Sequence, residues 1–213
     1  MTLLEDAVEA EVAALAARYG APRRVSAVLE GSPFSPLAKP DRYGEVCMVV
    51  RRPSGRLLTA IKRFYPPGAF RLLTGGIARG EPIEAALLRE TQEETGLEVA
   101  VRRFLAVIAY RLVVPQAEAS ARRPASDPSI PAPPDFVTFA FLLDETGGTL
   151  GAHDEAEQIA AYREVALAEL PALAATLEQA PDAYDEEIGG NWRDWGRFRA
   201  VVHRAVYDVL SED

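Results

Sequence analysis

The sequence predicts an α+β domain or a layered α/β/α arrangement, on three observations. Short β-branched runs fill the first two thirds of the chain, a single well-delimited helix stands among them, and further helical spacings lie near the two ends. At roughly 100–200 residues per domain, 213 residues make one domain with embellishments or at most two small ones.

Each element has its own signal. Leu4, Val8, Val12 and Leu15 recur at helical spacing over Leu3 to Tyr19, and Gly20 and Pro22 end the pattern. Strand-like runs follow at Val25–Leu29, Glu45–Arg51 and Arg56–Lys62, and the Pro53-Ser54-Gly55 turn between the last two predicts a hairpin. Phe70–Leu73 reads as a strand running into Thr74-Gly75-Gly76. A helix is predicted from Pro82 to about Thr95, with proline at its start and Gly96 just past its end. Val99–Tyr110, Phe136–Leu143 and Gln158–Tyr162 read as strands, and Leu167–Leu177 as a helix interrupted near Pro171. Trp192, Trp195, Phe198, Val202 and Val206 give the tail a helical stripe, expected to anchor in the core. The Pro/Ala/Ser-rich stretch 115–135 is too long for a simple connection and is expected to be a substrate-side loop or a disordered one.

Composition narrows the function. The chain is 48% hydrophobic, enough for a core, and its 32 acidic against 23 basic side chains give a formal net charge of -9. Such a balance lacks the basic face of a duplex binder, so broad nucleic-acid binding is not expected. No apolar run approaches the ~18 residues of a membrane helix, and Met1 to Asp6 lacks the positive region of a signal peptide. A cytoplasmic protein without a membrane partner is therefore expected. The single cysteine, Cys47, cannot form an intrachain disulfide, and its apolar neighbours predict a buried thiol.

The informative segment runs from Gly75 to Leu97. At ~100° per residue, Ile83, Leu87 and Thr91 form one helical stripe, flanked by Glu90 and Glu94, while Gln92 points away. Glu93 falls ~60° beyond Glu90. Carboxylates one turn apart repel, by ~0.2–0.5 kcal/mol per pair. They also sit where the helix dipole favours cations. A divalent cation reverses both effects, because hard ions choose carboxylate oxygens. A solvated acidic face partnered by Arg89 is the competing reading.

Gly75, five residues, Glu81, seven residues, then Arg89-Glu90-Thr91-Gln92-Glu93-Glu94-Thr95-Gly96-Leu97 resembles the Nudix box, Gx5Ex7REUxEExGU with U a bulky aliphatic. The one departure is Thr91, where the family prefers Leu, Ile or Val. The resemblance implies an α/β/α sandwich with a mixed β-sheet, carrying extra N-terminal and C-terminal helices. It divides the chain into a lead-in over 1–40, the Nudix domain over 41–180 and a C-terminal helix over 181–213 packed on it. It implies Mg²⁺- or Mn²⁺-assisted cleavage of the pyrophosphate bond in a nucleoside diphosphate linked to another group. Glu90, Glu94 and Glu93 become expected metal ligands, joined by the carbonyl of Thr74. Glu93 is also a candidate base, Arg89 holds the glutamates and Glu81 fixes the loop.

Many family members take a further glutamate from a late loop. In Gly151-Ala152-His153-Asp154-Glu155-Ala156-Glu157-Gln158-Ile159, Glu157 is the first candidate and Glu155 the second, with a solvated acidic turn as the alternative. His153 is expected at the surface, since hard oxygens build such a site. For substrate binding, Lys62-Arg63-Phe64-Tyr65 is loosely similar to the basic-aromatic strand of ADP-ribose and nucleotide-sugar pyrophosphatases, which selects Arg63 and Tyr65, with Arg71 beyond them. The expected partner is a small nucleotide, and a homodimer is left open. Two rival readings stand: a Nudix-fold sensor that binds a nucleotide without turnover, and an interaction protein whose acidic helix is merely solvated.

Overall fold

The computed structural model describes residues 4–31, 34–37, 39, 41–113 and 134–212. The expected loop over 115–135 lies outside the described residues except for Pro134 and Asp135. In chain order the elements are α1 (Asp6–Tyr19), β1 (Arg23–Glu30), β2 (Arg42–Arg51), β3 (Leu57–Lys62), β4 (Arg71–Ala78), α2 (Ile83–Thr95), β5 (Leu97–Val113) and β6 (Phe136–Gly148). They continue with β7 (Ile159–Val165), α3 (Leu170–Glu178), a two-residue ladder of β8 (Tyr184–Asp185) with β9 (Gly190–Asn191), and α4 (Trp192–Ser211).

Seven strands form one mixed sheet in the order β1-β5-β6-β2-β4-β3-β7. β1 runs parallel to β5 and β2 parallel to β6, while the remaining ladders are antiparallel. β2 takes a central position because Val46 to Val50 is buried on both faces, the continuous apolar run that a covered strand requires. This corrects the expected hairpin: β2 and β3 are joined by the turn, yet they pair only at Arg51 and Leu57 before β4 enters between them. β4 is also longer than expected and carries straight through Gly75 and Gly76 to Ala78.

Helices cover both faces. Against one face, Val12 and Leu15 of α1 and Ile83, Ala86 and Leu87 of α2 join Val46, Met48, Phe104 and Phe141, whose two rings stack 4.3 Å apart. On the other, α3 and α4 bring Leu170, Leu173, Leu177, Trp192, Trp195, Phe198, Val202 and Val206 to Cys47, Leu72 and Ile108. Each such fully buried side chain contributes roughly 1.5–3 kcal/mol, so α4 is an integral wall. Its aromatics are core anchors, as the helical stripe predicts, and Cys47 is a buried free thiol. Pro171 does not interrupt a helix. It lies in the first turn of α3, after a short 3-10 turn over Leu167–Glu169, where a missing N–H costs nothing. Among the described residues no helix is long and apolar enough to cross a membrane.

Candidate active site

The site begins with how α2 is held. Its first amide, on Ile83, donates to a carboxylate oxygen of Glu11 from α1 at 2.5 Å. At the other end Gly96 adopts the left-handed conformation, φ 66°, and its N–H returns to the Gln92 carbonyl. Three further groups reach the last turn: the His153 N–H donates to Glu93 O, the Tyr162 hydroxyl to Glu94 O at 2.6 Å, and the Gly151 N–H to Thr95 O. These donors satisfy the orphan carbonyls of the helix end and blunt its partial negative charge. Carboxylates are thus tolerated where a bare helix end repels them.

On this end Glu90 and Glu94 are buried, with only 8% and 1% of their surface exposed, whereas Glu93 is half-exposed and Gln92 faces outward beside His153. Glycine at 75 has a steric reason, since a Cβ there would stand 2.1 Å from Glu90 Cδ. Thr91, the departure from the box, is fully buried, and its hydroxyl donates to the Leu87 carbonyl one turn back at 2.7 Å. A hydroxyl fits this apolar stripe because it carries its own acceptor with it.

Arg89 ties the acidic residues together. Its guanidinium contacts Glu81 at 2.7 Å, Glu90 at 2.8 Å, Glu93 at 2.9 Å and the Gly76 carbonyl at 3.1 Å, while Glu81 also accepts from the Ala78 N–H. The Arg89 hydrogen bond holds the Glu81 carboxyl below its ordinary range, and Glu81 in turn pushes the Arg89 pKa up.

Glu157 reaches this end from the connection between β6 and β7. Asp154 caps the 3-10 turn over Glu155–Glu157, and Gln158 follows in the left-handed region at φ 53°. One carboxylate oxygen each from Glu90, Glu94 and Glu157 lies within 4.8 Å of the others. Burial, with help from the Glu157 and Glu90 charges, pushes Glu94 up to about 7 against the pull of Arg71 and Lys62. Burial likewise raises Glu90. In Glu157 burial is outweighed by Lys62, whose ammonium stands 2.7 Å away, and the carboxyl is held below its ordinary value. Lys62 also approaches Glu94 to 3.6 Å, while Glu94 Oε2 is buried with no hydrogen-bond partner.

The other expected site residues divide. Tyr65 and Arg71 line a polar pocket of about 220 Å³ together with Thr74. Arg71 is 3% exposed, donates to the Tyr65 hydroxyl and the Leu72 carbonyl, and lies over the Tyr65 ring. Tyr65 itself packs edge-on against Trp195 with centroids 4.7 Å apart. Arg63 and Glu155, by contrast, are exposed and line a separate groove with Tyr162.

Several residues at this site went unread in the sequence. Tyr162 anchors the α2 end, and Lys62 pairs with the cluster. Glu45 is 2% exposed and accepts from Thr138 and twice from Arg199, at 2.8 Å each. His203 accepts the Leu72 N–H at Nε2, 3.0 Å, and bonds the Arg199 carbonyl through Nδ1. A signal existed for two of them. Counting in fours from Trp195 lands on Arg199 and then His203, so both fall inside the apolar stripe of α4.

An α/β/α sandwich in which a glycine-bearing strand runs into an acidic helix, met by a glutamate from a late loop, defines a loop–helix–loop class of site. The chain belongs to the NUDIX family, whose NUDIX domain model matches residues 42–186. It is similar to the human (Homo sapiens) NAD-capped RNA hydrolase NUDT12, 46% identical over 62 residues, which are 29% of this chain and 13% of that protein. It is also similar to an ADP-ribose pyrophosphatase of Methanocaldococcus jannaschii, 34% identical over 100 residues, 46% of this chain and 49% of the relative. The matches thus span an eighth and about half of those two relatives. A crystal structure of a UDP-X diphosphatase aligns with a TM-score of 0.47 at 14% identity, covering 84% of this chain and 68% of that one.

Proposed function

We propose that the chain is a divalent-metal-dependent pyrophosphohydrolase acting on a nucleoside diphosphate linked to a second moiety, of the nucleotide-sugar or ADP-ribose kind. The observation that carries the reading is the convergence of one carboxylate oxygen each from Glu90, Glu94 and Glu157 within 4.8 Å of one another, with Glu94 Oε2 buried and without a hydrogen-bond partner. Hard oxygen donors in this number suit Mg²⁺ or Mn²⁺, so the residues fit the ion the family implies. The similarity to an ADP-ribose pyrophosphatase and to a NAD-capped RNA hydrolase points the same way. The full acidic set is more than a sensor needs for binding alone.

In this reading Glu90, Glu94 and Glu157 hold the ion, with the Thr74 carbonyl as a further donor. Once bound, the ion offsets the charge of the diphosphate, lowers the pKa of its water and stabilises the departing oxygen. Arg89 keeps Glu90 and Glu93 in register. Glu93, half-exposed at the edge of the cluster, accepts a proton from the attacking water. Attack on one phosphorus breaks its bond to the bridging oxygen, giving a nucleoside monophosphate and the phosphorylated second moiety. Arg63 and Glu155 stand outside this centre.

The test is a panel of nucleotide sugars, dinucleotides and nucleoside triphosphates with Mg²⁺ or Mn²⁺, following the released nucleotides. Glu93→Gln is expected to lower kcat on the order of 10²-fold without a comparable change in KM. Wild-type turnover in that variant would remove Glu93 from the mechanism. Tight nucleotide binding with no hydrolysis under either ion would replace the hydrolase by the sensor.

A further inference from the structure

Beside the acidic cluster lies a pocket of opposite character. Its walls carry Lys39, Arg42, Lys62, Arg71 and Arg199 against Glu45 and Glu187. Five cations thus line it against two carboxylates, with Lys62 also paired to Glu157 and Arg42 to Asp41. Two of these charges are buried. Arg199 is 5% exposed and pairs with Glu45, whereas Arg71, 3% exposed, hydrogen-bonds the Tyr65 hydroxyl and the Leu72 carbonyl and feels the Glu94 charge. Two of the lining side chains also hold buried polar atoms without a partner, Nε of Arg199 and Oγ1 of Thr74. Buried donors beside buried positive charge are stabilised by an incoming oxyanion.

Position and size say which part of a ligand belongs there. Lys62 and Thr74 lie on the pocket wall, and Lys62 also contacts Glu157 of the acidic cluster, so an occupant adjoins that cluster directly. A volume of about 220 Å³ falls below the ~300–1,000 Å³ of sites that enclose a whole drug-sized ligand. It suits a phosphoryl group or a sugar phosphate better than a nucleoside. Arg199 and Trp195 belong to α4, beyond the 42–186 span that the family model matches. This side of the wall lies outside that span, whereas Arg42, Lys62 and Arg71 lie within it.

We propose that this pocket is an anion subsite that takes a phosphoryl group of the ligand, with Arg71 and Arg199 as its buried charges and Arg42 and Lys39 at its mouth. The word substrate rests on the hydrolase reading; the anion preference does not.

The experiment keeps the two apart. With a chelator present the acidic cluster has no cation and repels phosphate, so binding of inorganic phosphate or pyrophosphate, read by calorimetry and thermal shift, reports on the pocket. Wild type is expected to bind. The paired variant Glu45→Gln/Arg199→Gln, which removes both charges and orphans neither, is expected to bind roughly ten- to hundredfold more weakly. With a hydrolysed substrate the same variant is expected to raise KM by a similar factor and leave kcat within about threefold. Should it not fold, Arg42→Gln at the mouth is expected to weaken phosphate binding severalfold. Equal phosphate affinity in variant and wild type, or no binding by wild type, overturns the subsite. Phosphate binding that depends on Arg199, in a protein that hydrolyses nothing, overturns the hydrolase reading and keeps the subsite. Hydrolysis with an unchanged KM does the reverse.

Discussion

Two charged regions share one end of the sheet and are assembled in opposite ways. The acidic region is almost entirely local: Glu81, Arg89, Glu90, Glu93 and Glu94 come from a single stretch of strand, loop and helix, and only Glu157 arrives from elsewhere. The cationic pocket draws Arg42 from β2, Lys62 from β3, Arg71 from β4 and Arg199 from α4. The first region holds like charges together by hydrogen-bonding a helix end from three sides. The second holds unlike charges, Glu45 and Arg199, out of water against each other. A local cluster lends itself to chemistry that varies little, and a wall made by a distant helix lends itself to specificity.

That contrast makes separable predictions. The largest effect is expected from Glu94→Gln: a loss of turnover on the order of 10³-fold, about 4 kcal/mol of barrier, measured as kcat under saturating Mg²⁺. The same variant should melt no lower than wild type in a chelator, because it removes a buried charge that burial disfavours. Arg199→Met should do the opposite to stability. It strands Glu45 in the core, and a loss of about 3 kcal/mol or more is expected in urea unfolding, with recovery when Glu45→Gln is added. A Glu94→Gln variant that unfolds, or an Arg199→Met variant that does not weaken, would erase the distinction between the two regions.

A third test concerns His203. Burial, reinforced by Arg71 and Arg199, lowers its pKa to about 4, against the ordinary 6.5. The unfolded chain therefore binds the proton first. The stability this neutral ring contributes is complete above pH 6.5 and declines as pH falls towards 4. Between pH 6.5 and 5 the loss is about 2 kcal/mol, to be read as the difference between the pH profiles of wild type and His203→Gln. Other carboxyls titrate in both proteins and cancel in that difference. The smallest effect is expected from Thr91→Val, which restores the aliphatic of the box and gives up one hydroxyl hydrogen bond to the Leu87 carbonyl: about 1 kcal/mol or less, with turnover unchanged.

The sequence was most legible where spacing alone decides placement. Glu90 and Glu94 flank the Leu87–Thr91 stripe by helical arithmetic, and the structure buries both while leaving Gln92 outside. Strand pairing was less legible, because nothing within β2 and β3 announces that a third strand will part them after Arg51 and Leu57. Glu45 shows the limit most clearly. It sits in a strand as an ordinary acidic residue, and its burial depends on an arginine 154 residues further along the chain. Arg199 and His203 were readable in principle as polar interruptions of an apolar stripe, but the stripe gave no partner for either. Separating Arg63 from Tyr65 and Arg71 required the turn at the end of β3, where the Arg63 N–H bonds the Gln158 carbonyl.

The donors that close the end of α2 also link distant stretches mechanically. His153 and Gly151 belong to the same exposed connection that delivers Glu157, and Tyr162 stands on the strand that follows it. One connection thus both supplies Glu157 and closes the turn that carries Glu93 and Glu94, so the two halves of the acidic centre share a single anchorage.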